Sequence, residues 1–210
     1  MGSGGLPSEL DPRHWQQTGA EVLEHGLPDL PSRLTYEMWI PLSYWSVGCC
    51  GVVAFMFFLP DREDGHMRAT TTLMHYTRED GRWVPPQGDL FSAWSANDGF
   101  DPITDPDDRR HLDGSTITYG QFSPRDRHEP GRPASAAFGH VSPEVKYLAV
   151  IQDAQQDYRR LQSHFGTYLV CVEHPGPFGV AAFDSTGKLM EVLPYPSLGY
   201  QLHQRHRTST

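Results

Sequence analysis

Metal ligation is the first chemistry that the residue types suggest. Cys171-x-x-His174 has the spacing of a zinc ligand pair, and the adjacent Cys49 and Cys50 could add thiolate. Against this, neighbouring cysteines rarely reach one ion together. Cys171 also sits in an apolar run, where a cysteine usually serves as a small buried hydrophobe. His203-x-x-His206 lies in a polar tail. The segment 97–108 gathers Asn97, Asp98, Asp101, Asp105, Asp107 and Asp108, hard oxygen donors of the kind calcium takes. It has neither the EF-hand order of ligands nor the closing Glu. Asp101, Asp105, Asp107 and His111 are the candidate ligands, with calcium or zinc as the ion. A metal-dependent hydrolase using this loop is the catalytic alternative. The competing account is a solvated loop whose aspartates cap turns and whose charge Arg109 and Arg110 offset.

Other chemistry lacks an anchor. There is no G-x-S-x-G elbow, and Gly88-Asp-Leu-Phe-Ser92 has its serine displaced from a hydrolase block. With eleven His and many Asp, some Ser/His/Asp triple is expected by chance. Neither G-x-G-x-x-G nor G-x-x-x-x-G-K-[ST] occurs. Aromatic contact is the remaining possibility. Trp39 and Trp45 fall in apolar runs and read as core. Trp83 and Trp94 border loops, and with Phe100 they are the candidate surface contacts for a partner.

The balance of charge narrows the partner. The 210 residues carry 17 Lys+Arg against 26 Asp+Glu, a formal net charge of -9. That disfavours nucleic acid, whose phosphates need clustered Lys and Arg. Residues 1–66 hold 9 acids and 3 bases, residues 67–140 hold 11 and 8, and residues 141–210 hold 6 of each. The excess acid therefore lies in the first two-thirds, so a protein partner with a basic surface is expected. Met1 to Asp11 lacks the basic start and apolar core of a secretory signal, and three cysteines, two of them adjacent, make no disulfide framework. A reduced, cytoplasmic setting is expected, with no cofactor unless the Asp loop holds calcium or zinc.

The elements that would position these residues are mostly strands. Gly and Pro make up 38 of 210 residues and argue against long helices. One short helix is predicted at 12–25, from Asp11-Pro12 to Gly26, with Trp15, Val22 and Leu23 on its apolar face. Met38 to Pro60 is 23 residues without a charge. That is long enough for a membrane-spanning helix, so membrane anchoring is a third reading. Pro41, Gly48 and Gly51, a β-branched and aromatic content, and the lack of flanking Lys/Arg favour buried strands instead. Strands are further predicted at 67–77, 82–84, 115–122, 145–151, 157–162, 167–172, 178–183 and 189–193. Hairpin turns fall at Arg78-Glu-Asp-Gly81 and Asp184-Ser-Thr-Gly187. A single helix over 143–163 is the alternative to the strands there. Long loops are expected at 85–114 and 123–137.

Seven to nine strands with turns every 8–12 residues predict an all-β chain, an antiparallel sandwich or barrel, with one short N-terminal helix. The division expected is an extension at 1–34, a β domain at 35–195 and a polar tail at 196–210. Within it, Gly139-His-Val-Ser-Pro-Glu-Val145, Gly166-Thr-Tyr-Leu-Val-Cys-Val172 and Val180-Ala-Ala-Phe-Asp-Ser-Thr-Gly187 stand out. This segment, 139–193, resembles a module recurrent in uncharacterised actinobacterial proteins. Asp80-Gly-Arg-Trp83 is similar to a hairpin found ahead of that module. The resemblance covers under a third of the chain and implies a β-sandwich without a known activity. The leading expectation is a non-catalytic protein-binding or assembly module.

Overall fold

The computed structural model describes residues 12–35, 38–60, 66–85, 110–118, 135–152, 155–172 and 177–195. The helix α1 spans Pro12–His25, and Gly26 closes it with its N–H on Val22 O at 2.8 Å. Eleven strands follow: β1 Ile40–Val47, β2 Cys50–Pro60, β3 Met67–Glu79, β4 Arg82–Val84, β5 Leu112–Thr118, β6 Ser135–Val141, β7 Tyr147–Gln152, β8 Gln155–Arg160, β9 Thr167–Val172, β10 Phe178–Phe183 and β11 Leu189–Tyr195. They form three sheets, ordered β1-β2-β3-β4, β11-β10-β7-β8 and β5-β6-β9, with every ladder antiparallel. The fold is all-β with one short helix, as the turn spacing implied.

The uncharged run 38–60 becomes two strands of the first sheet, and its composition has a packing cause. Val52, Ala54 and Met56 face the core shared by the three sheets. Val53 and Phe55 face the opposite way, into a second core with Trp15, Val22 and Leu23 of α1 and Met74, Tyr76 and Trp83. A strand buried on both faces has no polar side, so it reads as a continuous apolar run. Among the described residues no helix is long and apolar enough to cross a membrane. The helix reading of 38–60 is thereby replaced by a hairpin sandwiched between α1 and the main core.

The main core unites Ile40, Leu42 and Leu73 of the first sheet, Phe138, Tyr168 and Leu169 of the β5-β6-β9 sheet, and Leu148, Val180 and Phe178 of the third. Burial of each large apolar side chain there stabilises the fold by about 1.5–3 kcal/mol. All six residues of β9 are buried, as its two-sided apolar sequence predicts. It pairs with β6 on one side and lies alongside β1 on the other. There His164 N–H reaches Leu42 O at 2.7 Å, and Cys171 Sγ approaches Trp45 O at 3.8 Å.

Several boundaries differ from the sequence reading. The described residues hold eleven strands, where about seven to nine were expected. The strand β5 begins at Leu112, inside the expected 85–114 loop, and β6 begins at Ser135, inside the expected 123–137 loop. Ala136 and Ala137 have weak strand propensity, yet both are fully buried between β5 and β9. Pairing on both sides overrides their propensity. Tyr147–Gln152 and Gln155–Arg160 pair antiparallel as β7 and β8, in place of a helix over 143–163.

Candidate functional site

Trp83, expected at the surface, is buried under α1 with Val53, Phe55 and Tyr76, and the Arg78 guanidinium covers its ring at 5.5 Å. Its position beside a loop misleads because β4 is short and its central side chain points at the helix. Trp94, Phe100, Asp101, Asp105 and Asp107 lie outside the described residues, as do His174, His203 and His206. Among the described residues no group of three His, Cys, Asp or Glu is arranged to hold a metal. Cys50 and Cys171 are buried, and no cysteine is in a disulfide.

His111 sits at the start of β5 in a polar cluster. Its Nδ1 lies 3.1 Å from Ser142 Oγ and 3.7 Å from Glu144 Oε2. In a Ser–His–acid relay the serine and the acid occupy opposite ring nitrogens. Here both approach the same nitrogen, so the cluster cannot pass a proton through the ring from Ser142 to Glu144. The neighbouring contacts are structural. Glu191 Oε2 accepts the backbone N–H groups of His111 at 2.6 Å and Leu112 at 2.8 Å, and Ser142 N–H donates to His111 O at 3.0 Å. The carboxylate of β11 thus clamps the first residues of β5.

The feature that the sequence reading missed is the outer face of the β11-β10-β7-β8 sheet. Alternation sends one set of side chains to the core and the other outward. The register builds three outward rows: Arg160–Tyr147–Phe183–Leu189, Tyr158–Ala149–Ala181–Val192 and Gln156–Ile151–Gly179–Pro194. Leu189 is 51% exposed, Tyr158 and Val192 are 46% exposed, and Ile151 is 37% exposed. Tyr147 and Tyr158 stack at 5.3 Å, and Phe183 meets Tyr158 edge-on at 5.1 Å. Ala149 and Ala181 form a buried floor between these taller side chains. One signal in the sequence points to this face, the apolar residues at both parities of Phe178–Phe183; Leu189 and Val192, three apart, reach the same face only through the register shift at Ala182/Phe183.

No family model, curated protein or solved structure compared with this chain gives a match. Function must then be argued from the face itself. Its Phe183–Leu189 end is closed by the turn 184–187. Asp184 Oδ1 accepts from Thr186 N–H at 2.8 Å, Thr186 Oγ1 at 2.6 Å and Lys188 N–H at 3.0 Å. The Thr186 hydroxyl, then the Lys188 amide, hold the Asp184 carboxyl below its usual range. That carboxylate stays charged, but Lys146, Lys188 and Arg160 outnumber it and leave this end of the sheet with an excess of positive charge. Lys146 and Lys188 are the only two lysines of the chain.

Proposed function

We propose that the chain is a non-catalytic protein-binding module whose docking surface is the outer face of the β11-β10-β7-β8 sheet. The observation that carries this reading is the contiguity of Ile151, Tyr158, Val192 and Leu189, all exposed on one sheet face around the Tyr147–Tyr158–Phe183 cluster. Exposed apolar patches of this kind mark interaction surfaces more often than they occur idly, and aromatic anchors are the usual centres of binding energy. The cationic margin favours a protein with an apolar centre and an acidic rim. This reverses the basic partner expected from the acid-rich first two-thirds, because Lys146, Lys188 and Arg160 outnumber Asp184 beside the apolar face. The proposed setting is the cytoplasm, where the buried thiols of Cys50 and Cys171 suit a reducing medium.

The test is calorimetric. Proteins co-purifying with the intact chain are identified, expressed alone and titrated against wild type, Val192→Asp and Trp94→Ala. An aspartate at Val192 puts a charge at the centre of the contact and is expected to weaken binding by about 2 kcal/mol, roughly thirtyfold. Trp94→Ala is expected to bind as wild type does. Unchanged affinity for Val192→Asp, or a loss confined to Trp94→Ala, would overturn the assignment.

A further inference from the structure

The strand β8 ends its sheet. β7 pairs with one of its edges, and among the described residues no strand pairs with the other. In an antiparallel ladder the backbone groups of successive residues point to opposite edges. Leu161 N–H donates to Lys146 O at 2.8 Å, on the β7 side. Stepping back by twos from Leu161, Arg159 and Asp157 also aim their backbone groups at β7. The N–H and C=O groups of Gln156, Tyr158 and Arg160 therefore line the other edge, and all three residues are exposed. Open edges are commonly blunted by a proline or a bulge. β8 has neither, since its register runs without a shift from Tyr147↔Arg160 to Gln152↔Gln155. The strand β1 stands back from it across an open cleft lined by Tyr44, Arg160 and Gln162.

The side chains of β8 suit one occupant, a second β8 laid antiparallel with a two-fold axis at Tyr158. Every open-edge N–H and C=O then gains an acceptor or donor. Tyr158 pairs with the partner's Tyr158, and Gln156 with the partner's Arg160. Between them, Asp157 of each copy lies opposite the partner's Arg159. Opposite charges facing across a ladder are favourable, and like charges are unfavourable. Moving the axis one residue either way would oppose Asp157 to Asp157 or Arg159 to Arg159, so the charges select Tyr158 as the centre.

Arg159 is prepared for this contact. Its Nε and Nη2 donate to Asp157 Oδ1 and Oδ2 at 2.9 and 2.6 Å, and its guanidinium carbon stands 4.6 Å over the Trp45 ring. One edge of the fork is left for the partner's Asp157, and both side chains are 37% exposed. The open edge closes at Ser163, which bridges to Ser43. The partner's β8 begins opposite Leu161, short of that bridge. We propose that two copies of the chain associate through β8, edge to edge about Tyr158, joining their four-stranded sheets into one. This association goes beyond the docking of an acidic protein and does not rest on it.

The test is sedimentation equilibrium of the full chain. A strand-edge contact lies at the small end of protein interfaces, so a monomer–dimer equilibrium with Kd of about 10–100 µM is expected, read over about 5–500 µM. Gln156→Pro removes one N–H of the open edge and leaves the β7 ladder intact, and is expected to weaken the dimer at least about tenfold. Asp157→Arg alone and Arg159→Asp alone each oppose like charges and are expected to stay monomeric. Their equimolar mixture restores opposite pairs and is expected to dimerise. Circular dichroism checks the fold of each variant, and Gln156→Pro decides alone if a charge variant unfolds. The Val192→Asp chain is expected to dimerise as wild type does, whatever becomes of the acidic partner. A wild-type chain monomeric over the whole range, or a Gln156→Pro dimer as tight as wild type, would overturn the proposal. So would charge variants that dimerise alone as well as mixed, or a dimer that Val192→Asp dissolves, which would place the second copy on the docking face.

Discussion

At the scale of single residues, side chains whose chemical type suggests catalysis hold the fold together. His111 and Ser142 lie within hydrogen-bond distance, but the shared Nδ1 makes the pair a brace, and Glu191 is the group on which that region depends. Glu191→Ala leaves two backbone N–H groups of a part-buried turn without their acceptor. It is expected to destabilise by about 1–3 kcal/mol, and Glu191→Gln, which keeps an acceptor oxygen, by less. Chemical denaturation of the three proteins checks the order, and an alanine variant as stable as wild type would contradict the clamp. Trp83 shows the limit of reading single residues. Its neighbours in sequence are turn residues, whereas its neighbours in space are Val53, Phe55 and Tyr76, brought there by α1. No local pattern carries that information.

At the scale of elements, much of the fold was legible. Pro12 and Gly26 bracket α1, Asp80-Gly81 turns β3 into β4 with φ of 46° and 79°, and the two-sided apolar content of β9 marks a central strand. What escaped was β6, whose alanines are chosen by close neighbours rather than by strand preference, and the start of β5, which is set by the Glu191 clamp. The seating of α1 gives a direct prediction. A methyl on Gly19 would overlap the hydroxyl of Tyr76, a buried side chain whose Oη also donates to Trp15 O at 3.4 Å. Alanine gains about 1 kcal/mol of helix propensity over glycine, but overpacking against a rigid ring costs about 1–3 kcal/mol or more. Gly19→Ala is therefore expected to lower the thermal midpoint by several degrees. Gly19→Ala combined with Tyr76→Phe, which removes the overlapping hydroxyl, is expected to lose less than the sum of the two single changes. A rise in the midpoint for Gly19→Ala alone would contradict this packing.

At the scale of the whole molecule, three sheets share one core, and buried tyrosines tie them together. Tyr168 of β9 and Tyr195 of β11 lie hydroxyl to hydroxyl at 2.5 Å. Burial pushes the Tyr168 pKa well above 10, with Tyr195 adding to it, and burial pushes Tyr195 to about 12. Burial raises Tyr76 as well. A raised pKa means that the neutral form is favoured in the folded state. The stability it contributes is whole below pH 10 and drains away as pH rises from 10 through about 12. Phenolate absorbance should accordingly show these three of the nine tyrosines ionising only as the sheet circular dichroism collapses. Titration of all nine near pH 10 with the fold intact would refute it. The site was the least legible part, because it is neither a motif nor a loop. It is the back of a sheet, assembled by register from β7, β8, β10 and β11, so no single segment displays it.

The most direct measurement is site-specific photo-crosslinking in the cells that make this protein. A photoreactive phenylalanine replaces Leu189 on the docking face, or Glu79 at the exposed end of β3 in the first sheet. The expected result is a discrete adduct with an acidic protein from position 189 alone, lost when Val192→Asp is added to the same chain. An adduct at twice the mass of the chain would replace the acidic partner with a second copy. The same adducts from both positions, or an adduct from 189 that survives Val192→Asp, would contradict docking on this face.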